Sequence, residues 1–167
     1  MKEVYILPMC KLTSLDIEVA VATLFKPRYN IIVPNVWWGM GFNYELDIII
    51  LTKANCTTEV EIKISIQDLK ADFNKRFIHN SLMINKFYYA IPDTLLEKAL
   101  SIIPVESGII TVDSKRVAKI YRKSKTKNKY RFTDKQRVKL LELCAMRVWT
   151  LKKKLQSSLS YPVFPDK

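Results

Sequence analysis

Between residues 45 and 64 the chain twice alternates polar and apolar side chains at a spacing of two, a pattern that suits a pair of neighbouring strands. Glu45-Leu46-Asp47-Ile48-Ile49-Ile50-Leu51 is followed by a short, mostly small or polar stretch and then by Glu59-Val60-Glu61-Ile62-Lys63-Ile64. Side chains two apart on a strand share a face. Leu46, Ile48, Ile50, Val60, Ile62 and Ile64 are therefore expected on one face, with Glu45, Asp47, Glu59, Glu61 and Lys63 on the other. Residues opposite each other across an antiparallel pair also share a face. A turn centred on Ala54 sets Asp47 opposite Glu61 and Glu45 opposite Lys63, whereas a turn shifted by one residue opposes Asp47 to Glu59 or to Lys63. Two facing carboxylates cost up to roughly 1 kcal/mol with no cation between them, and Mg²⁺ or Mn²⁺ favours such oxygens. The pattern points to a divalent-metal site for phosphate chemistry, with a solvated strand face as the plainer alternative.

Around this pair the chain predicts a mixed α/β layer structure. Thr13 and Ser14 are N-cap candidates for a helix whose apolar positions are Leu15, Val19, Ala22 and Phe25, ended by Lys26-Pro27. Asn30–Val33 suggests a strand broken at Pro34, and Val36-Trp37-Trp38 a continuation before a Gly39-Met40-Gly41 loop. The adjacent tryptophans alternate faces on a strand, so that an exposed one would suit stacking a base, and burial of both is the expectation. Ser65 to Asp68 resembles a capping box opening a helix with Leu69, Phe73 and Phe77 on its buried face and Lys70, Lys75 and Arg76 on a polar face suited to phosphates. His79, the single histidine, is expected to be structural or exposed. Phe87–Ile91 predicts a buried strand closed by Pro92, residues 93–100 a short helix, and residues 108–113 and 117–121 a last strand pair. A Thr133–Gln136 box opens a long helix with the stripe Val138, Leu141, Ala145, Val148 and Leu155, whose free face offers a surface for a homodimer.

Charge is concentrated at one end. Residues 114–167 hold 17 Lys/Arg and 3 Asp/Glu, a net of +14, against −2 for residues 1–113. The densest run carries Lys115, Arg116, Lys119, Arg122, Lys123, Lys125, Lys127 and Lys129 with no acid among them, which suits a polyanion, DNA or RNA. A chain of 167 residues can bury one core without disulfides. Cys10, Cys56 and Cys144 are scattered, as reduced cytoplasmic thiols are. No segment approaches the ~20 apolar residues of a membrane span.

Asp47 with Glu61-Ile62-Lys63 resembles the D…(D/E)xK signature of the PD-(D/E)xK nuclease superfamily. The longer series is Glu59 to Ser65, then Asp68-Leu-Lys-Ala-Asp72, then Phe87-Tyr-Tyr-Ala-Ile-Pro92. It is similar to that of MmcB-like DNA repair proteins and related phage-type proteins of that superfamily. Leu46 precedes Asp47, so the Pro-Asp dipeptide that names the superfamily is absent. The resemblance spans about residues 14–113. It implies a single domain with an αβββαβ restriction-endonuclease-like core at about 13–113, followed by a basic strand, loop and helix over 114–160. It further implies a metal-dependent nuclease acting in DNA repair or in phage or mobile-element DNA processing. Asp47, Glu61 and the backbone carbonyl of Ile62 would hold Mg²⁺ or Mn²⁺, with Glu18 and Glu45 as second-tier ligands. Glu18 also has the simpler role of complementing the first helix's dipole. Lys63 would orient or help deprotonate the attacking water, Glu45 would alternatively pair with Lys63, and the basic segment would clamp DNA. The rival expectation is a non-catalytic nucleic-acid-binding module on the same scaffold.

Overall fold

Thr13 is the N-cap that starts the chain's first helix. In the computed structural model, which describes residues 11–73, 79 and 81–159, its hydroxyl accepts the Asp16 N–H at 3.2 Å while Asp16 Oδ2 accepts the Thr13 N–H at 2.9 Å. This reciprocal cap opens α1 (Ser14–Leu24). Ile17, Ala20 and Val21 form its buried face, and Leu15 and Val19, expected inside, face solvent. Two apolar stripes compete on this helix, and the one spaced 17, 20, 21, 24 docks on the sheet.

Six strands form one sheet in chain order: β1 (Ile31–Val36), β2 (Leu46–Leu51), β3 (Thr57–Ile62), β4 (Lys86–Pro92), β5 (Gly108–Val112) and β6 (Ala118–Arg122). β1, β2 and β3 make an antiparallel meander, β3–β4 and β4–β5 are parallel, and β5–β6 is antiparallel. The first parallel step is connected through α2 (Ile66–Asp72), the second through a 3-10 turn at Asp93–Leu95 and α3 (Leu96–Leu100). The fold is thus a mixed α/β sheet flanked by helices, in the order helix, three strands, helix, strand. β1 runs through Pro34, which pairs with Ile48, because β1 is an edge strand where a residue lacking an N–H is tolerated.

The β2–β3 ladder runs Ile48↔Val60, Ile49↔Glu59, Ile50↔Thr58 and Leu51↔Thr57, the register of a turn centred on position 54. One sheet face is a continuous apolar cluster beneath α1, made of Ile48, Ile50, Val60, Ile62, Tyr88, Ala90, Ile110 and Val112. The other face is divided. Val33, Val36, Leu46, Ile49 and Leu51 pack with Met40, Phe42, Leu140 and Leu143 on one side, and Leu69, Phe87, Tyr89, Ile91 and Ile109 on the other. Register places Glu59 between Ile49 and Phe87, and Glu61 beside Tyr89, so the acidic side chains of β3 occupy the seam between two apolar clusters. Both are buried, and the solvated strand face is not what forms.

Leu46 departs from the alternation and packs with Val36 and Ile49, away from Ile48. Asn35, opposite this point on β1, has a positive φ of 52°, and the local kink turns the end of the β1–β2 pair. The tryptophans also depart from expectation. Trp37 and Trp38 are 59% and 70% exposed, because β1 ends at Val36 and the Gly39–Gly41 turn sends Met40 and Phe42 into the core in their place.

The final helix, α4 (Asp134–Leu159), opens on the Thr133–Gln136 box and enters the core through Leu140 and Leu143. The stripe of Val138, Leu141, Ala145, Val148 and Leu155 lies on the solvent side. Cys56 and Cys144 are free thiols. No helix among the described residues is long and apolar enough to cross a membrane.

Candidate metal centre

The β2–β3 ladder ends at Ile48↔Val60, and there the Asp47 side chain takes over from the main chain. Its Oδ2 accepts the Ile62 N–H at 2.7 Å. Continuing the register by one pair sets Asp47 level with Glu61. On the far side of β3, Lys63 N–H donates to Ala90 O at 3.0 Å, so the parallel ladder leaves the peptide groups of Ile62 turned toward β2 and Asp47. Burial, then the negative charge of Asp47, pushes the Glu61 carboxyl up to about 6 despite the opposing pull of Lys63. The same two causes raise Glu18 on α1. Asp47 is therefore the charge felt by both glutamates, Glu61 on β3 and Glu18 on α1. Glu45 is exposed just ahead of β2.

Lys63 is 3% exposed, and its ammonium is shared among carboxylates. Nζ lies 2.8 Å from Glu61 Oε1, 3.0 Å from Asp72 Oδ1 and 3.9 Å from Asp68 Oδ1. Its partners are therefore Glu61 and Asp72, not Glu45. Burial alone would favour the neutral amine, but the Glu61 and Asp72 carboxylates outweigh it and hold the pKa above the ordinary lysine value. Lys63 stays an ammonium at neutral pH, which fits orienting a water or offsetting phosphate charge and removes it as a proton acceptor.

Behind Lys63 lies a buried chain of charged groups that sequence reasoning did not assemble. Asp72 Oδ2 accepts the Tyr89 hydroxyl at 3.0 Å and His79 Nε2–H at 2.9 Å. His79 Nδ1–H donates to Glu59 Oε1 at 2.5 Å, and Glu59 Oε2 accepts the Tyr44 hydroxyl at 3.0 Å. The imidazole stacks on Phe87 with centroids 4.5 Å apart, and Lys127 Nζ donates to the His79 carbonyl at 2.8 Å. Desolvation disfavours the charged ring, but the hydrogen bonds to Asp72 and Glu59 prevail and push its pKa up to about 9. His79 is thus a structural imidazolium, as its isolation in sequence suggested. Its ring, Glu59 and Glu61 lie within 4.8 Å of one another, but both ring nitrogens carry protons directed at carboxylates and have no lone pair for a metal. Asp47, Glu61 and Glu18 offer carboxylate oxygens alone, the donor type Mg²⁺ and Mn²⁺ take.

Folded His79 binds a proton more tightly than its unfolded counterpart, whose ordinary value is 6.5. Its contribution to stability is fully present below about pH 6.5 and is lost as pH rises through about 9. Urea denaturation of the wild type is expected to show stability falling across that window, by up to about 1.4 kcal/mol per pH unit from this group. A His79→Gln variant is expected to lose that part of the slope, and identical slopes in the two proteins would contradict the assignment.

The basic residues named from sequence divide by role. Lys70 is exposed on α2, and Lys75 and Arg76 lie outside the described residues. Arg116 pairs with Asp16 at 2.7 Å, Lys125 pairs with Glu106 at 2.9 Å, and the Arg122 guanidinium donates to the carbonyls of Ile103, Pro104 and Ser107. Lys127 serves His79 as described. Lys115, Lys119, Lys123 and Lys129 are exposed. The backbone of this segment bonds Glu106 O from Lys125, Asn85 O from Lys127 and Asn55 O from Phe132. It therefore runs along the starts of β3, β4 and β5, the end of the sheet opposite Asp47 and Lys63.

Asp72, Glu59 and His79 are the residues that sequence reasoning left out of the site. Two signals were present: Glu59 precedes Glu61 by two on one strand face, and Asp72 follows Asp68 by one helical turn. No family model matches this chain, and no curated protein matches it. Among solved structures it is similar to a protein of unknown function from Silicibacter pomeroyi. That likeness covers 96% of this chain and 99% of the other, with a TM-score of 0.59 and 17% sequence identity, and at this identity it is one of fold.

Proposed function

We propose that the chain is a metal-dependent nuclease that hydrolyses phosphodiester bonds of DNA. The observation that carries this reading is that Asp47 takes the Ile62 N–H at 2.7 Å, level with Glu61, whose Oε1 lies 2.8 Å from the Lys63 ammonium. Asp47, Glu61 and the turned-out carbonyl of Ile62 would hold Mg²⁺ or Mn²⁺, with Glu18 as a second-tier ligand. Bound there, the cation supplies Lewis-acid polarisation of the phosphate and acidifies a water. Lys63, kept protonated, orients that water and stabilises charge building on the phosphate oxygens. Asp72 and His79 hold Lys63 in place from behind. The resemblance to the PD-(D/E)xK superfamily through Asp47 and Glu61-Ile62-Lys63 supports the same reading.

One observation favours a second reading. Lys63 is almost fully buried and already shared by two carboxylates, as in a structural ion cluster of a non-catalytic nucleic-acid-binding module. Incubating the purified chain with labelled single-stranded and duplex DNA in Mg²⁺, Mn²⁺ or EDTA separates the two. Cleavage that needs the metal and stops in EDTA is expected. DNA that is retained but never cut, whatever the metal, would leave only the binding module.

A further inference from the structure

Trp37 and Trp38 are two adjacent indoles at 59% and 70% exposure, a large apolar area for a chain to leave in water. They follow directly on Val36, which pairs with Leu46, the neighbour of Asp47. The strand register therefore sets them at the same end of the sheet as the acidic cluster, one and two residues beyond the Val36–Leu46 pair that closes β1.

The segment that carries them is anchored. Gly39 and Gly41 adopt φ of +80° and +79°, and Met40 and Phe42 are buried in the core beside α4. α4 grips the segment twice: the Arg147 guanidinium donates to the Asn35 carbonyl, and Lys139 Nζ lies 5.4 Å from the centre of the Trp38 ring. A Cβ on Gly39 would come 3.0 Å from Lys139 Cε, which shows how closely the helix covers this turn. Beside it is a cleft of about 590 Å³ lined by Gly39, Met40, Lys135, Val138, Lys139 and Glu142, whose carboxylate pairs with Lys139 at 3.1 Å. One ammonium, that of Lys139, thus lies over the Trp38 ring, with Lys135 on the adjoining cleft, on a chain of formal net charge +12.

We propose that Trp37 and Trp38, with Lys139 over the second indole and Lys135 on the adjoining cleft, form a stacking platform for unpaired bases, so that single-stranded nucleic acid is what reaches the acidic cluster. Every base offers a π-face to an indole whatever the sequence, while lysines follow the phosphates. In a duplex those faces are already stacked on neighbouring pairs, so the platform selects strands with splayed bases. That single strands are the substrate rests on the nuclease reading; that they bind here does not. A formal net charge of +12, with Lys139 over Trp38, favours this occupant over a second copy of the same chain.

The test is done in EDTA, where metal-dependent cleavage is absent, with fluorescently labelled 20-nucleotide oligo(dT) and a hairpin duplex of equal phosphate number. Anisotropy is expected to show tighter binding of oligo(dT), and oligo(dT) is expected to quench the intrinsic tryptophan emission. Trp37→Ala and Trp38→Ala are each expected to weaken oligo(dT) binding about 10-fold and to leave duplex binding nearly unchanged. Trp149→Ala, ten residues beyond Lys139 on α4 and about 15 Å away along the helix, serves as the control and is expected to bind as the wild type does. Because both indoles project into solvent, the variants are expected to fold, which circular dichroism checks. Wild-type affinity in the Trp37→Ala/Trp38→Ala double variant overturns the proposal, as does equal quenching by duplex. Self-association that the double variant abolishes assigns the platform to a second copy of the chain and overturns it too. Binding that behaves as expected in a protein that never cuts DNA refutes the nuclease reading alone.

Discussion

Asp47→Asn is expected to leave the chain folded and to lower Mg²⁺-dependent DNA cleavage by at least about 10³-fold, the rate equivalent of about 4 kcal/mol of transition-state stabilisation. The substitution is nearly isosteric, and the amide keeps an oxygen to accept the Ile62 N–H that Asp47 Oδ2 now accepts at 2.7 Å. The end of the β2–β3 ladder therefore survives. What disappears is the negative charge that raises both Glu18 and Glu61. Relief of that repulsion is expected to hold the melting temperature or raise it slightly, the signature of a site kept for chemistry at some cost in stability. Cleavage rates on labelled DNA and a thermal scan are the two readouts. Undiminished cleavage in a folded variant would refute the metal-ligand role, and lost cleavage with a melting temperature several degrees lower would make Asp47 structural. Lys63→Ala, which sequence alone marks as an equally clean test, is less clean. It removes the ammonium that Glu61 and Asp72 share inside the protein, so loss of activity would be mixed with loss of stability.

That Asp47 and Glu61 share a strand face was legible because strand parity is a local property of residues 45–64, whereas the turn that sets them level was one of three registers the sequence allowed. The strand and helix order was legible for the same reason: caps at Thr13, Ser65 and Thr133 and apolar runs at β2 and β4 are short-range signals. What sequence left open depends on which of two similar surfaces finds a partner. α1 carries two apolar stripes and α4 likewise, and in each case the chain buries the one not expected. Trp37 and Trp38 are apolar enough for a core, but Met40 and Phe42 take those places once Gly39 and Gly41 turn the chain. Glu59, Asp72 and His79 stand on a strand, a helix and the segment after it. A lone histidine has no periodicity to announce that its two nitrogens will meet carboxylates 20 and 7 residues away.

That meeting is the source of the second large effect. His79→Leu is expected to destabilise the chain by about 3–5 kcal/mol, because it removes the cation between two buried acids while leaving the acids in place. Glu59 and Asp72 are 0% and 3% exposed, so water cannot substitute for the imidazolium. Asp72 keeps the Lys63 ammonium and the Tyr89 hydroxyl, but Glu59 keeps only the Tyr44 hydroxyl, which solvates a carboxylate without neutralising it. A loss of that size is a large fraction of a typical stability of 5–15 kcal/mol, and at about 2–4 °C per kcal/mol it lowers the melting temperature by roughly 6–20 °C. Urea denaturation at pH 6.5 measures it where the imidazolium contribution is largest. Neutralising one acid as well, in Glu59→Gln with His79→Leu, is expected to recover part of the loss, since a neutral amide in the Glu59 position no longer needs a cation. A His79→Leu loss below about 1 kcal/mol, the range of exposed ion pairs, would mean that the seam between the two apolar clusters is open to water. The fixed position of Lys63, which depends on Asp72 being held from behind, would then lose its support.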